Sequence, residues 1–141
     1  MGILDTEEGK KRILCVELPA IEKYNQGRDP FFRICVRRQN GGFYLRYRLK
    51  PMHNIYQLET RLPALYPIIS PETRVRTPLQ SCPHLLSNQL LCLWRPGTHR
   101  KDNHWDPARF TSVFAVLAAW RWLACYEIWL QTAEWPLPDA I

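Results

Sequence analysis

Residues 43–50 constrain the fold more than any other stretch, because Phe43, Leu45, Tyr47 and Leu49 alternate without a break with Tyr44, Arg46, Arg48 and Lys50. Successive side chains of a strand point to opposite faces, so this two-residue period predicts a strand with one buried and one wet face. Asn40-Gly41 precedes it, and that pair tolerates positive φ at both central positions of a tight turn, so a hairpin is expected. Upstream, Phe32, Ile34 and Val36 alternate with Arg33, Cys35 and Arg37. Downstream, Tyr56, Leu58, Thr60 and Leu62 alternate with Gln57, Glu59 and Arg61 within residues 54–62. Three such runs predict an antiparallel meander, half-buried throughout. A short fourth strand fits residues 73–77, among prolines at 63, 67, 71 and 78 that disfavour helix and central strand.

On either side of the meander the period changes. Residues 5–27 hold a small apolar set, Ile13, Leu14, Val16, Leu18 and Ile21, and predict a short helix that Pro19 would break or kink. Gly27-Arg28-Asp29-Pro30 is a turn. Residues 79–106 have no sustained period, and a long irregular segment inside a compact domain is usually functional. Asp106 can cap free backbone amides and Pro107 suits a first helical position, so a helix is expected to begin there. Its buried face would be Phe110, Val113, Phe114, Leu117, Trp120, Leu123 and Ile128 or Leu130, and it would end near Thr132, before Trp135-Pro136. Strands first and helix last describe an α+β fold: a four-stranded antiparallel meander backed by helices, with a long active-site loop. At 141 residues the chain is expected to be one domain, 1–141.

Composition removes several function classes. Residues 1–12 are mostly polar, so no signal segment is read and a cytoplasmic location is expected. Five cysteines, an odd number, are then read as reduced thiols and not as a disulfide framework. Residues 110–130 are strongly apolar, but Arg121 and Glu127 interrupt them, so no membrane insertion is expected. The net charge of +6 raises a nucleic-acid reading, centred on Arg33, Arg37, Arg38, Arg46, Arg48 and Lys50. A solvated basic face, or one that docks an acidic protein surface, explains the same charge, and nucleic acid is disfavoured.

The irregular segment carries the candidate chemistry. Cys92 stands between leucines, eight residues after His84. A nucleophilic thiol needs access to substrate and polar groups nearby to manage protons and a developing oxyanion. His84 is the candidate for tuning or positioning the thiol, and Asn88 is a weaker candidate hydrogen-bond donor. His104 and Asp106, with His99 and Asp102, are candidates for orienting or deprotonating an incoming amine, since a free lysine is mostly protonated at neutral pH. An inert, buried cysteine beside a core histidine fits the same spacing. Cys82, His84, Cys92, His99 and His104 include zinc-ligand types. No two cysteines have the close spacing of common structural sites, so no metal is expected. No glycine-rich phosphate loop is present, so no cofactor is expected and any carbonyl activation must come from another protein.

The order of these pieces resembles the ubiquitin-conjugating enzyme family: Tyr66-Pro67, Pro83-His84, Leu91-Cys92-Leu93 and Trp105-Asp106-Pro107, then a long helix. The bacterial branch of that family is more similar still. Its motif is matched by Pro83-His84, Leu90-Leu91-Cys92-Leu93-Trp94 and Pro96, by the run from Trp122 through Leu123, Tyr126, Glu127 and Trp129 to Leu130, and by Glu134-Trp135. Leu86 stands where the family has an asparagine or an aromatic residue, and Gln89 replaces a glycine. The resemblance implies a ubiquitin-conjugating-like fold and a thioester at Cys92. It implies a protein substrate, the C-terminus of a cyclic-nucleotide synthase of cyclic-oligonucleotide-based antiphage signalling (CBASS), passed to a target lysine. A non-catalytic adaptor of the same fold and a nucleic-acid-binding protein are the other readings.

Overall fold

The structure, a computed structural model, describes residues 1–94 and 104–137. Strands β1 (Cys35–Gln39), β2 (Gly42–Leu49), β3 (Tyr56–Leu62) and β4 (Glu72–Val75) form a sheet in sequence order, each antiparallel to the next. The turn between β1 and β2 has φ of 51° at Asn40 and 77° at Gly41, as the Asn-Gly signal requires. Alternation fixes the register: Phe43 lies opposite Leu62, Tyr47 opposite Leu58 and Leu49 opposite Tyr56, all buried. Polar atoms on this face satisfy one another, with Tyr47 Oη 2.7 Å from Thr60 Oγ1, itself 2.8 Å from Thr73 Oγ1. On the wet face Arg46 donates to Glu59 at 2.7 Å.

β1 departs from the half-buried expectation. It begins at Cys35, and all five of its residues are exposed. Phe32 lies instead in a 3-10 turn, Pro30–Phe32, and Ile34 is the residue that enters the core. As the outermost strand, β1 is paired on one side only, so alternation there does not buy burial. The fourth strand is one residue earlier and shorter than 73–77.

The amino-terminal helix is longer than Pro19 led us to expect. It runs as α1 (Glu7–Arg12), a π turn (Ile13–Glu17) and α2 (Leu18–Asn25). In the π turn the Leu18 amide donates to the Ile13 carbonyl, five residues back. Pro19 thereby falls in the first turn of the segment that follows, where a missing amide hydrogen loses nothing.

The long helix α3 spans Ser112–Thr132, so it ends as expected but starts later than Asp106-Pro107. Residues 106–110 form a separate turn, in which the Asp106 carbonyl accepts from the Arg109 and Phe110 amides and Asp106 Oδ1 accepts from the Ala108 amide at 3.0 Å. Glu17 sets the true start. Its side chain is fully buried, and it accepts from the Ser112 amide at 2.7 Å, from Arg12 Nε at 2.8 Å and from the Tyr66 hydroxyl at 2.7 Å. Burial, and then the Glu17 charge, push the Tyr66 phenol well up, so it remains a donor.

The buried face of α3 also differs. Ala115, Val116, Ala119, Trp122, Leu123 and Tyr126 face the core, while Leu117, Trp120 and Leu130 are 54%, 45% and 40% exposed. Alanines allow the helix backbone to approach its neighbours closely, and helical spacing of bulky residues alone does not reveal that face. By length and composition α3 is apolar enough to cross a membrane, but half of the qualifying stretch is packed inside the protein. Glu127 is 3% exposed and accepts from the His53 amide at 2.9 Å, tying α3 to the β2–β3 connection.

Replacing Glu17 with alanine strands the Arg12 charge, the Tyr66 hydroxyl and the Ser112 amide. We expect Glu17→Ala to cost about 3–5 kcal/mol, because breaking a buried charge pair leaves its partner uncompensated. Thermal denaturation should show a midpoint lowered by roughly 10 °C in a chain this long. Glu7→Ala, which removes an exposed pair with Lys10, should change it little.

Candidate active site

Residues 84–92 fold back on themselves as a small hairpin. Leu85 and Leu91 form an antiparallel bridge, the Leu86 amide donates to the Leu90 carbonyl at 2.8 Å, and the Cys92 amide donates to the His84 carbonyl at 3.1 Å. The turn, Ser87–Gln89, holds Asn88 and Gln89 at φ of 56° and 59°. Gln89 then anchors the tip: its Nε2 donates to the Val75 carbonyl at 2.9 Å and the Thr77 carbonyl at 2.7 Å, and its Oε1 accepts from the Leu79 amide at 3.0 Å. The hairpin also docks on the outer side of β4, where the Leu91 amide donates to the Thr73 carbonyl at 2.9 Å.

This docking gives the Leu-Cys-Leu motif its physical meaning. Leu91 and Leu93 are 4% and 2% exposed and hold the strand to the core. Cys92 between them is half-buried and faces the other way. It lines a cleft of about 370 Å³ together with Glu72, Leu86, Leu90, Trp94 and His104. The aromatic side of the cleft is pinned by indole hydrogen bonds, Trp105 Nε1 to the Pro67 carbonyl at 2.7 Å and Trp94 Nε1 to the Pro71 carbonyl at 3.4 Å. The two rings meet at 5.3 Å, and Trp105 rests on Tyr66 at 5.7 Å. The Tyr-Pro motif therefore backs the Trp105 ring that lines the cleft.

His84 sits opposite Cys92 in the hairpin, and a main-chain hydrogen bond joins them. Its carbonyl accepts from both the Cys92 amide and Trp122 Nε1, the latter at 3.2 Å. Its ring packs on Trp135 at 5.2 Å, and Trp135 packs on Trp122 at 5.1 Å. Both Trp129 and Trp135 pack against the core. Asn88 lies at the exposed hairpin tip, on the far side of the Leu85–Leu91 bridge from Cys92. Asp106 organises the turn after Trp105. His84, Asn88 and Asp106 are not among the residues that line the cleft, whereas His104 is. His99, Lys101, Asp102 and Pro96 lie outside the described residues.

Sequence reasoning missed Glu72. It begins β4, faces Arg61 across the β3–β4 pair, and lies 3.3 Å from Arg61 Nε and 3.8 Å from Arg74 Nη1. A carboxylate directly after Pro71, at the mouth of a strand that leads toward the cysteine segment, was the available signal. Arg46 and Arg76 likewise share Glu59, so acidic side chains interrupt the basic surface on this face of the sheet. Among the described residues no three His, Cys, Asp or Glu side chains gather as a metal-binding group.

All five cysteines are free thiols. Burial pushes the Cys82 thiol up to about 11 and the Cys125 thiol upward as well, which keeps both protonated at neutral pH.

The fold is α+β, and it places a half-buried cysteine on a sheet-docked hairpin, in a cleft shared with a histidine and a carboxylate. The chain belongs to the family described as Type II CBASS E2 protein, which matches residues 20–140 and so includes the sheet, the hairpin and α3. Family membership places it in CBASS antiphage defence, in a system where it works with a protein partner. No curated protein matches the chain.

Iodoacetamide at pH 8 should alkylate Cys82 and Cys125 slowly compared with a free cysteine, as read by peptide mass spectrometry, because only the thiolate reacts and burial keeps both protonated. Gln89→Ala removes the three side-chain bonds that hold the hairpin tip. We expect faster amide hydrogen exchange across residues 84–92, with a stability loss of about 1–3 kcal/mol.

Proposed function

We propose that this protein is a cysteine-dependent conjugating transferase of ubiquitin-conjugating type, acting in the cytoplasm, where exposed thiols such as Cys15 and Cys35 stay reduced. The observation that carries the reading is the opposed burial of the Leu-Cys-Leu segment. The leucines are held in the core, and the cysteine is presented to a cleft that also holds His104 and Glu72.

In the first step the Cys92 thiolate attacks the activated C-terminal carbonyl of the cyclic-nucleotide synthase. A carbon–sulfur bond forms and the activating group, installed by another enzyme, departs with its electron pair. In the second step the neutral amine of a target lysine attacks the thioester carbon. A carbon–nitrogen bond forms, the carbon–sulfur bond breaks, and the thiolate is restored. A thiolate leaves far more readily than an amide or alkoxide, which is why the intermediate is a thioester. The amine must lose a proton in this step, and His104 and Glu72 are the groups in the cleft able to accept or relay it. The hydrogen bonds at the His84 carbonyl orient the strand that carries Cys92, so His84 acts as a positioning residue. Asp106 contributes through the turn that follows His104 and Trp105.

Co-expression with the neighbouring operon proteins, followed by non-reducing gels and mass analysis, tests this directly. Wild type should give a thiol-sensitive adduct with the mass of the synthase, Cys92→Ala none, and Cys92→Ser an oxyester resistant to thiol. Glu72→Gln should still form the thioester but discharge it to lysine about tenfold or more slowly, as expected for loss of a proton acceptor. Identical gels for wild type and Cys92→Ala, with no adduct in either, would favour the adaptor reading.

A further inference from the structure

A second concavity, of about 520 Å³, opens where α2, the end of β2 and α3 meet. The sheet order places it on the β1–β2 side, whereas the Cys92 hairpin docks on β4 at the opposite edge. Its size is that of a small-molecule site and not of a flat protein contact. Its lining combines three cations, Arg28, Arg48 and Lys50, with three aromatic rings, Tyr24, Phe32 and Trp120, and includes no carboxylate.

The cations of this lining contrast with the arginines around the β3–β4 pair. Arg46, Arg61, Arg74 and Arg76 on the sheet each have a glutamate partner. Among the described residues Arg28, Arg48 and Lys50 have none. The two guanidiniums are nevertheless held in place without being neutralised. Arg28 Nε donates to the Tyr24 carbonyl at 3.0 Å, with the guanidinium 3.8 Å above the Tyr24 ring. Arg48 Nη1 donates to the Phe31 carbonyl at 3.4 Å, with the guanidinium 4.4 Å above the Phe31 ring. Pre-placed guanidiniums that keep donors in hand suit phosphate, with its several acceptor oxygens. Trp120, 45% exposed on the core helix, offers a broad ring beside them.

We propose that this pocket binds a nucleotide, with phosphate oxygens on Arg28, Arg48 and Lys50 and the base stacked on Trp120 or its aromatic neighbours. Stacking on an aromatic side chain and charge pairing with arginine are each sequence-tolerant, so the site selects a phosphorylated planar base. Occupancy does not depend on thioester chemistry at Cys92, so the two proposals stand or fall separately.

Isothermal titration of the full chain in low salt tests it, with adenosine monophosphate and cyclic diadenylate as probes that separate a linear from a cyclic source. Adenosine, inorganic phosphate and an acidic peptide ending in phenylalanine are the comparisons. We expect at least one nucleotide to bind roughly tenfold or more tightly than adenosine or phosphate, because each comparison lacks one half of the recognition. Arg48→Gln, Lys50→Gln and Trp120→Ala should each weaken that binding severalfold while the melting temperature stays near wild type. Cys92→Ala should bind as wild type does. The proposal is overturned if neither nucleotide binds at millimolar concentration, or if phosphate binds as tightly as either. It also fails if the peptide binds and the nucleotides do not, or if the three pocket variants keep wild-type affinity.

Discussion

The Glu17 carboxylate is the interaction on which the rest of the structure depends. A buried charge is expensive unless it is paired and hydrogen-bonded. Here Arg12 supplies the charge, and the Tyr66 hydroxyl and the Ser112 amide complete the shell. These donors come from three separate parts of the chain: the amino-terminal helix, the proline-rich crossing and the start of α3. Arg12 adds a fourth tie through Nη2 to the Phe110 carbonyl at 2.9 Å. Fixing the start of α3 fixes the positions further along it. Trp122 then meets the His84 carbonyl, and the Tyr126 hydroxyl accepts from the Gln80 amide at 2.9 Å. The hairpin that presents Cys92 is thus secured from a carboxylate far away in sequence.

That distance explains what could and could not be read in advance. β2 and β3 were legible because a two-residue period with one buried face has few alternatives, and Asn40-Gly41 fixed the turn between β1 and β2. The start of α3 was not, since Asp106-Pro107 carries the local signature of a cap and the actual partner, Glu17, is 95 residues away. Local capping rules see only nearby donors and acceptors. The buried face of α3 was misread for a related reason. Bulky residues at helical spacing marked Leu117 and Trp120, whereas close approach selected Ala115 and Ala119. In the case of Trp120 that exposed face forms part of the second pocket.

The candidate site divides in the same way. Cys92 was visible as a cysteine flanked by leucines, and the structure supplies the physical reason, since its neighbours are the anchors. His84 was singled out for its ring, and its carbonyl also accepts from the Cys92 amide. A main-chain role leaves little trace in residue type, except that His84 holds φ of 63°, a conformation few side chains adopt readily. Glu72 was missed because its only local signal was its place after Pro71, and it enters the cleft from another strand, which the β3–β4 pairing and the docked hairpin bring alongside Cys92.

Gln89 shows how a departure from a family pattern can be absorbed. Glycine suits a left-handed position because it has no Cβ, and a glutamine held at φ of 59° there costs on the order of 1–2 kcal/mol. A glycine would leave the hairpin tip without the side chain that now bonds to Val75, Thr77 and Leu79. Three hydrogen bonds at roughly 0.5–1.5 kcal/mol each offset the backbone strain. They also move part of the restraint from the turn itself to β4 and the segment after it. The hairpin consequently has three attachments, Gln89 at its tip, the Leu91 amide on β4 and the His84 carbonyl at its base. Cys92 lies at the base, beside the bond to Trp122, so its position is governed more by α3 than by the substituted turn. The glutamine therefore holds the tip by its side chain, at the end of the hairpin away from the thiol.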